Sequence, residues 1–185
     1  MHSCQLCSAT LPLPPRPILQ VHQNSKILII GQAPGLKTHE HNMPFNDKSG
    51  ERLRSWLDVT KQAFYDPKLF AIMPMAFCYP GKNKSGSGDA PPPKICHNTW
   101  HKTLLNRMQD IQLTILIGSY AAKTYIEQYQ SLNEAIINSM GQTESNQLVL
   151  PHPSPRNNIW LKKNDWFETN TLPVIKQRIH DILND

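Results

Sequence analysis

Short apolar runs alternate with amphipathic stretches along the chain. Lys26–Gly31 (KILIIG) is rich in isoleucine and closes on a glycine, the pattern of a strand buried on both faces. Leu69–Met75 (LFAIMPM), Leu113–Gly118 (LTILIG) and Leu148–Pro151 (LVLP) repeat it. Helical patterns lie between these runs. Leu53, Trp56 and Leu57 share one face of a helix that Asp47 or Ser49 can cap. His97–Gln109 sets Trp100, Leu104, Leu105 and Met108 inward, and Ser119–Tyr129 reads as a helix after the third strand. Asp165–Leu183 is largely helical, with Pro173 marking a kink or a break. Residues 1–25 read as a loop-like arm, Gln32–Asp47 as a long polar loop, and Cys78–Lys94 as a flexible Gly/Ser/Pro loop.

Apolar strands that alternate with helices predict a mainly parallel sheet covered on both faces. The expected fold is a three-layer α/β/α sandwich with a four-stranded sheet, formed by residues 1–185 as one domain. Such sheets bind ligands outside the carboxyl ends of their strands. The loops after Gly31, Met75 and Leu150 emerge there, and they hold GQAPG, the Cys78 segment and PHPSPRN.

Composition narrows the functional classes. Hydrophobic residues make up 39% of the chain, enough for a core and too many for a disordered segment. No apolar run approaches the ~20 residues that cross a bilayer, and no leader pattern opens the chain, so the expected compartment is the cytoplasm. The net charge of +5 permits a polyanionic partner without requiring one. Cys4 and Cys7 form C-x-x-C, while Cys78 and Cys96 follow far along. A redox C-x-x-C stands after a strand at a helix start, which Cys4 and Cys7 do not. A close thiolate pair with two remote partners suits a metal site better; four unconnected thiols remain the plain alternative.

Two loops offer chemistry. GQAPG (Gly31–Gly35) has neither the lysine of a phosphate loop nor dinucleotide-loop spacing. Its glycines let backbone N–H groups approach a ligand closely, and Gln32 adds an amide. PHPSPRN (Pro151–Asn157) holds His152 between two prolines, so its ring can be aimed. Ser154 adds a hydroxyl, and Arg156 a planar cation suited to phosphate or to stacking. Phe45 can stack on a planar ligand or belong to the core.

These residues resemble the uracil-DNA glycosylase superfamily over most of the chain, and most closely its iron–sulfur-bearing branch. The family motif G-E-A-P-G followed by P-F is matched by GQAPG and by Pro44 and Phe45. The branch's cysteine order is matched by Cys4, Cys7, Cys78 and Cys96, and its closing H-P-S by His152, Pro153 and Ser154. The resemblance implies a monofunctional DNA glycosylase of base-excision repair that flips uracil or another deaminated base out of DNA. It implies that Phe45 stacks on the base and that backbone amides of Gly31, Ala33 and Gly35 hold its carbonyl edge. His152 would stabilise the departing base. Ser154, Pro155, Arg156 and Asn157 would contact the strand. The four cysteines would ligate a [4Fe–4S] cluster, with zinc as the alternative. The expected partner is DNA with a damaged base, with no membrane partner, and the expected state is a monomer.

Gln32 stands where the family has glutamate, and an amide cannot accept a proton from water at neutral pH. Glu40, or else His39, is the expected replacement in the same loop. Pro74 stands where the family has a base-reading asparagine. Gln32, Ala33 and Pro74 also support a second reading, a DNA-binding or damage-recognition domain that has lost hydrolysis. A zinc-stabilised domain with a small-molecule ligand is a third.

Overall fold

A computed structural model describes residues 3–141 and 145–184; the first two residues of the expected arm lie outside them. Among the described residues, β1 (Ile27–Ile30), β2 (Phe70–Ile72), β3 (Leu113–Ile117) and β4 (Gln147–Leu150) form one sheet in the order β2-β1-β3-β4. Every pairing is parallel, and Ile27 lies opposite Phe70 on one side and Leu113 on the other. The helices are α1 (Leu36–His41), α2 (Lys48–Leu57), α3 (Lys61–Phe64), α4 (Lys94–Leu105), α5 (Gly118–Tyr125), α6 (Leu132–Gly141), α7 (Asn158–Lys163) and α8 (Leu172–Asn184). Every residue of β1 and β2 is buried. Successive strand residues point to opposite faces, so both faces of the sheet are covered. The core that results includes the fully buried rings of Phe64, Phe70, Phe77 and Phe167. This is the expected α/β architecture.

Several elements differ from expectation, each for a local reason. The polar loop after β1 contains α1, whose short, histidine-rich sequence has no apolar stripe to announce it. Strand β2 is shorter than the apolar run around it. The chain still runs beside β1 from Met73 to Ala76, where Met73, Met75 and Ala76 donate to the carbonyls of Ile29, Gly31 and Gln32 at 2.9, 2.8 and 3.2 Å. Pro74 has no N–H to give and interrupts that ladder. Helix α4 starts three residues early, directly after Pro93 at φ −58°, an angle already suited to a helix start. It also ends early, so Met108 is buried from the turn that follows. Before α8 the chain makes a π-helical turn, Phe167–Thr171, in which Leu172 N–H reaches back to Phe167 O. Pro173 then sits in the first turn of α8, where its missing N–H costs little.

The arm is not loose. Gln20 and Ile72 exchange N–H···O bonds of 2.9 and 2.6 Å, and Ile18 N–H donates to Phe77 O at 2.7 Å. Arg16 reaches His39 O at 2.7 Å.

Candidate active site

The chain leaves β1 toward β2 on one side and returns to β3 on the other, so a crevice opens at the carboxyl ends of β1 and β3. A cleft of about 540 Å³ lies in this region. Gly31 to Gly35, Phe45, His152 and Ser154 to Asn157 all line it. With Gly88 and Asp89 of the loop after β2 also lining it, three remote loops of the sequence meet at one place.

Phe45 is fixed through its backbone. It adopts φ +53°, and Asp47 caps α2 just beyond it by accepting Gly50 N–H at 2.9 Å. Tyr65 donates to Pro44 O at 2.8 Å, and Arg54 to Phe45 O at 3.2 Å. A Cβ on Gly50 would lie 1.7 Å from Phe45 O, so only glycine admits this approach. The Phe45 ring meets Phe64 edge-on at 6.2 Å, and a Cβ on Gly31 would be 3.4 Å from its Cζ. Phe45 thus forms an apolar wall of the cleft that is backed by the core.

His152 follows β4, between the buried prolines 151 and 153. Asn157 donates to His152 O at 2.7 Å, and Arg52 to Ser154 O at 3.3 Å. Ser154 N–H donates to His152 Nδ1 at 3.2 Å. Nδ1 is thereby the acceptor, and the proton of the neutral ring sits on Nε2. Burial pushes His152 below the usual histidine range; Asp47 pulls it back up and Arg156 adds to the lowering. The cleft therefore contains a neutral imidazole whose Nε2–H has no acceptor among the described residues.

The water-activating group expected in the first loop is not in the cleft. Glu40 falls on the exposed side of α1 and is not among the residues lining the cleft. His39 is buried behind it, its ring 6.3 Å from that of Tyr79. Folding of this segment into a helix, rather than a loop, separates both from Gln32. The Gln32 amide is itself engaged, donating to Ala90 O at 3.3 Å. That bond ties the Gly/Ser loop to the motif and brings Asp89 to the cleft. Among the described residues the lining carboxylates are Asp47 and Asp89, of which sequence reading noted only Asp47, as a helix cap. Pro74 also lines the cleft, its carbonyl accepting His101 Nε2–H at 3.1 Å, while Tyr125 hydroxyl bonds His101 Nδ1. The second-strand position is thus a rigid apolar wall without a side-chain donor.

A model of the uracil DNA glycosylase superfamily matches residues 19–176. The chain belongs to the uracil DNA glycosylase superfamily. A solution NMR structure of a candidate uracil DNA glycosylase from Methanosarcina acetivorans shares its fold, with a TM-score of 0.51 at 15% identity. The match covers 88% of this chain and 96% of that one.

This superfamily member also gathers its cysteines. Cys4, Cys7, Cys78 and Cys96 line one small cavity, walled by Leu11, Pro15, Phe77 and Trp100 among others. None is in a disulfide. Burial raises the thiols of Cys7 and Cys78, and that of Cys96 to about 11. Phe77 N–H points to Cys96 Sγ at 3.4 Å. Among the described residues, no three His, Cys, Asp or Glu side chains are grouped as ligands of a single metal ion. Among the described residues, no helix is long and apolar enough to cross a membrane.

Proposed function

We propose that this protein is a monofunctional DNA glycosylase that hydrolyses the N-glycosidic bond of uracil or another deaminated base. The observation that supports it most is His152, a neutral imidazole with a free Nε2–H in the same cleft as the Phe45 ring. A flipped base is flat and leaves as an anion. It needs a stacking wall and a hydrogen-bond donor that strengthens as charge develops. Phe45 supplies the wall and His152 the donor. A neutral donor stabilises the leaving anion without needing a proton of its own from solvent.

The other cleft residues take roles that follow from their position. Among the described residues, the N–H groups of Gln32 and Ala33 make no bond within the chain, and they are free for the base's carbonyl edge. Gly35 leaves the wall open beside them. Ser154, Pro155, Arg156 and Asn157 form the outer rim and grip the sugar–phosphate strand, Arg156 through its guanidinium.

We further propose that Cys4, Cys7, Cys78 and Cys96 hold a [4Fe–4S] cluster, with zinc as the alternative. The reading rests on four free thiols that line one largely apolar space, a donor set that suits either a cluster or zinc. Cys4 and Cys7 would hold it from the arm, Cys78 and Cys96 from the two ends of the Gly/Ser/Pro loop. Its role would be structural, pinning arm to loop.

Purified protein incubated with single- and double-stranded oligonucleotides bearing uracil, hypoxanthine or xanthine should leave alkali-labile abasic sites on at least one. Tight binding without abasic sites on any would instead favour a damage-recognition domain, the reading that Gln32 and Pro74 support.

A further inference from the structure

We propose that Asp89, held at the cleft rim by the Gly81–Ala90 loop, is the general base that activates the attacking water. The inference rests on the glycosylase reading above. Hydrolysis requires an acceptor for the water proton, and the first-loop acid of the family pattern is the amide Gln32. Of the two carboxylates lining the cleft, Asp47 is committed to the N-terminus of α2 through Gly50 N–H at 2.9 Å. Asp89 accepts no hydrogen bond and forms no ion pair among the described residues.

Position separates base from sugar in this cleft. Gly31, Pro74 and the core-backed Phe45 lie at its apolar inner end, whereas Asp89, Pro155 and Arg156 are exposed at its rim. A base bound against Phe45 puts its glycosidic bond toward that rim. Asp89 Oδ2 lies 3.5 Å from where a Cβ on Gly35 would stand, and a Cβ on Gly88 would lie 2.8 Å from Arg156 Nη1. The carboxylate therefore stands beside the motif backbone, and the residue before it approaches Arg156. Two ties hold it there: the antiparallel bridge between Lys82 and Asp89, made by Ala90 N–H to Gly81 O at 2.8 Å and Asn83 N–H to Gly88 O at 2.9 Å, and the Gln32 side-chain amide on Ala90 O. Partial burial raises the Asp89 carboxyl above its ordinary range, Arg156 and Lys82 pulling it back down, so it is a better proton acceptor than a free carboxylate.

In the step proposed, a water O–H gives its proton to the Asp89 carboxylate while the water oxygen bonds to the sugar C1′. The C1′–N bond breaks, and its electron pair leaves on the base, held by His152 Nε2–H. The base regains a proton by way of solvent and Asp89. The products are the free base and an abasic deoxyribose.

The test compares wild type, Asp89→Asn and Glu40→Gln on one substrate oligonucleotide, reading single-turnover excision and affinity for the same strand. Asp89→Asn should excise roughly 100-fold more slowly or worse. It should bind at least as tightly as wild type, because it removes a negative charge beside the phosphates. A rate within threefold of wild type, or a loss confined to Glu40→Gln, overturns the assignment while leaving the glycosylase reading intact. A binding loss that accounts for the slower rate also overturns it. Wild type that excises no base overturns both.

Discussion

The carbonyl of Phe45 rests on the bare Cα of Gly50, so closely that a Cβ there would lie 1.7 Å from the oxygen. The contact joins the Phe45 wall of the cleft to the first turn of α2. It also makes Gly50 a determinant of the site, although it is buried and does not line the cleft.

Gly50→Ala should therefore harm both fold and site. Forced repacking at such a position costs about 1–3 kcal/mol, readable as a lower urea midpoint. The Phe45 turn must move, so affinity for substrate oligonucleotide should fall with it. Unchanged stability and affinity would show that Phe45 is not held by this contact.

Gln32 gives a result opposite to what the motif alone suggests. Reintroducing the family's acid as Gln32→Glu should not speed excision. A carboxylate cannot donate to Ala90 O, and it would repel Asp89. The single-turnover rate should fall as it does in Gln32→Ala, with stability changed by no more than about 1 kcal/mol for a half-exposed bond. A faster Gln32→Glu enzyme would return water activation to the first loop.

The cysteine site is tested by metal and structure together. Anaerobically purified protein should be brown, with near-stoichiometric iron and sulfide. Cys96→Ser should lose most of the iron, and limited proteolysis should then release the arm. A colourless preparation with one zinc would replace the cluster by zinc.

His101 sets a pH dependence of stability. Burial lowers it to about 4, the Pro74 carbonyl opposing the shift and His97 adding to it. In the unfolded chain it titrates near 6.5. Between these values only the unfolded state takes up the proton, so stability falls as pH drops from about 6.5 and levels off near 4. The loss is at most about 3 kcal/mol. The melting temperature of wild type should decline from pH 7.5 to pH 5, and that of His101→Gln should start lower and decline less. Parallel curves would place the proton uptake elsewhere.

How much of this was legible in the chain depends on the range of each signal. Ile27–Ile30 is apolar at every position, short, isoleucine-rich and followed by glycine, the pattern of a strand buried on both sides, so the sheet followed from local pattern. His152 between two prolines, and four cysteines in order, are likewise local or spaced signals, and the fold gathers both sets. Glu40 misled because α1 lacks an apolar stripe; read as a loop, it could be placed anywhere near Gln32. Asp89 left no signal. Its position depends on a bond between Gln32 and Ala90, 58 residues apart, and on a glycine-rich turn that could have pointed elsewhere. Residues brought in by long-range ties of flexible loops are the ones that periodicity and motif cannot reveal.

Central to the account is that His152 donates from Nε2 to the departing base. The most direct measurement is single-turnover excision by His152→Ala beside wild type, with affinity for the same oligonucleotide and melting temperature recorded in parallel. The account predicts a rate loss of roughly 100-fold or more, with affinity and melting temperature close to wild type, because the contact strengthens only as charge develops. A variant that loses binding but excises at the wild-type rate once saturated would contradict it.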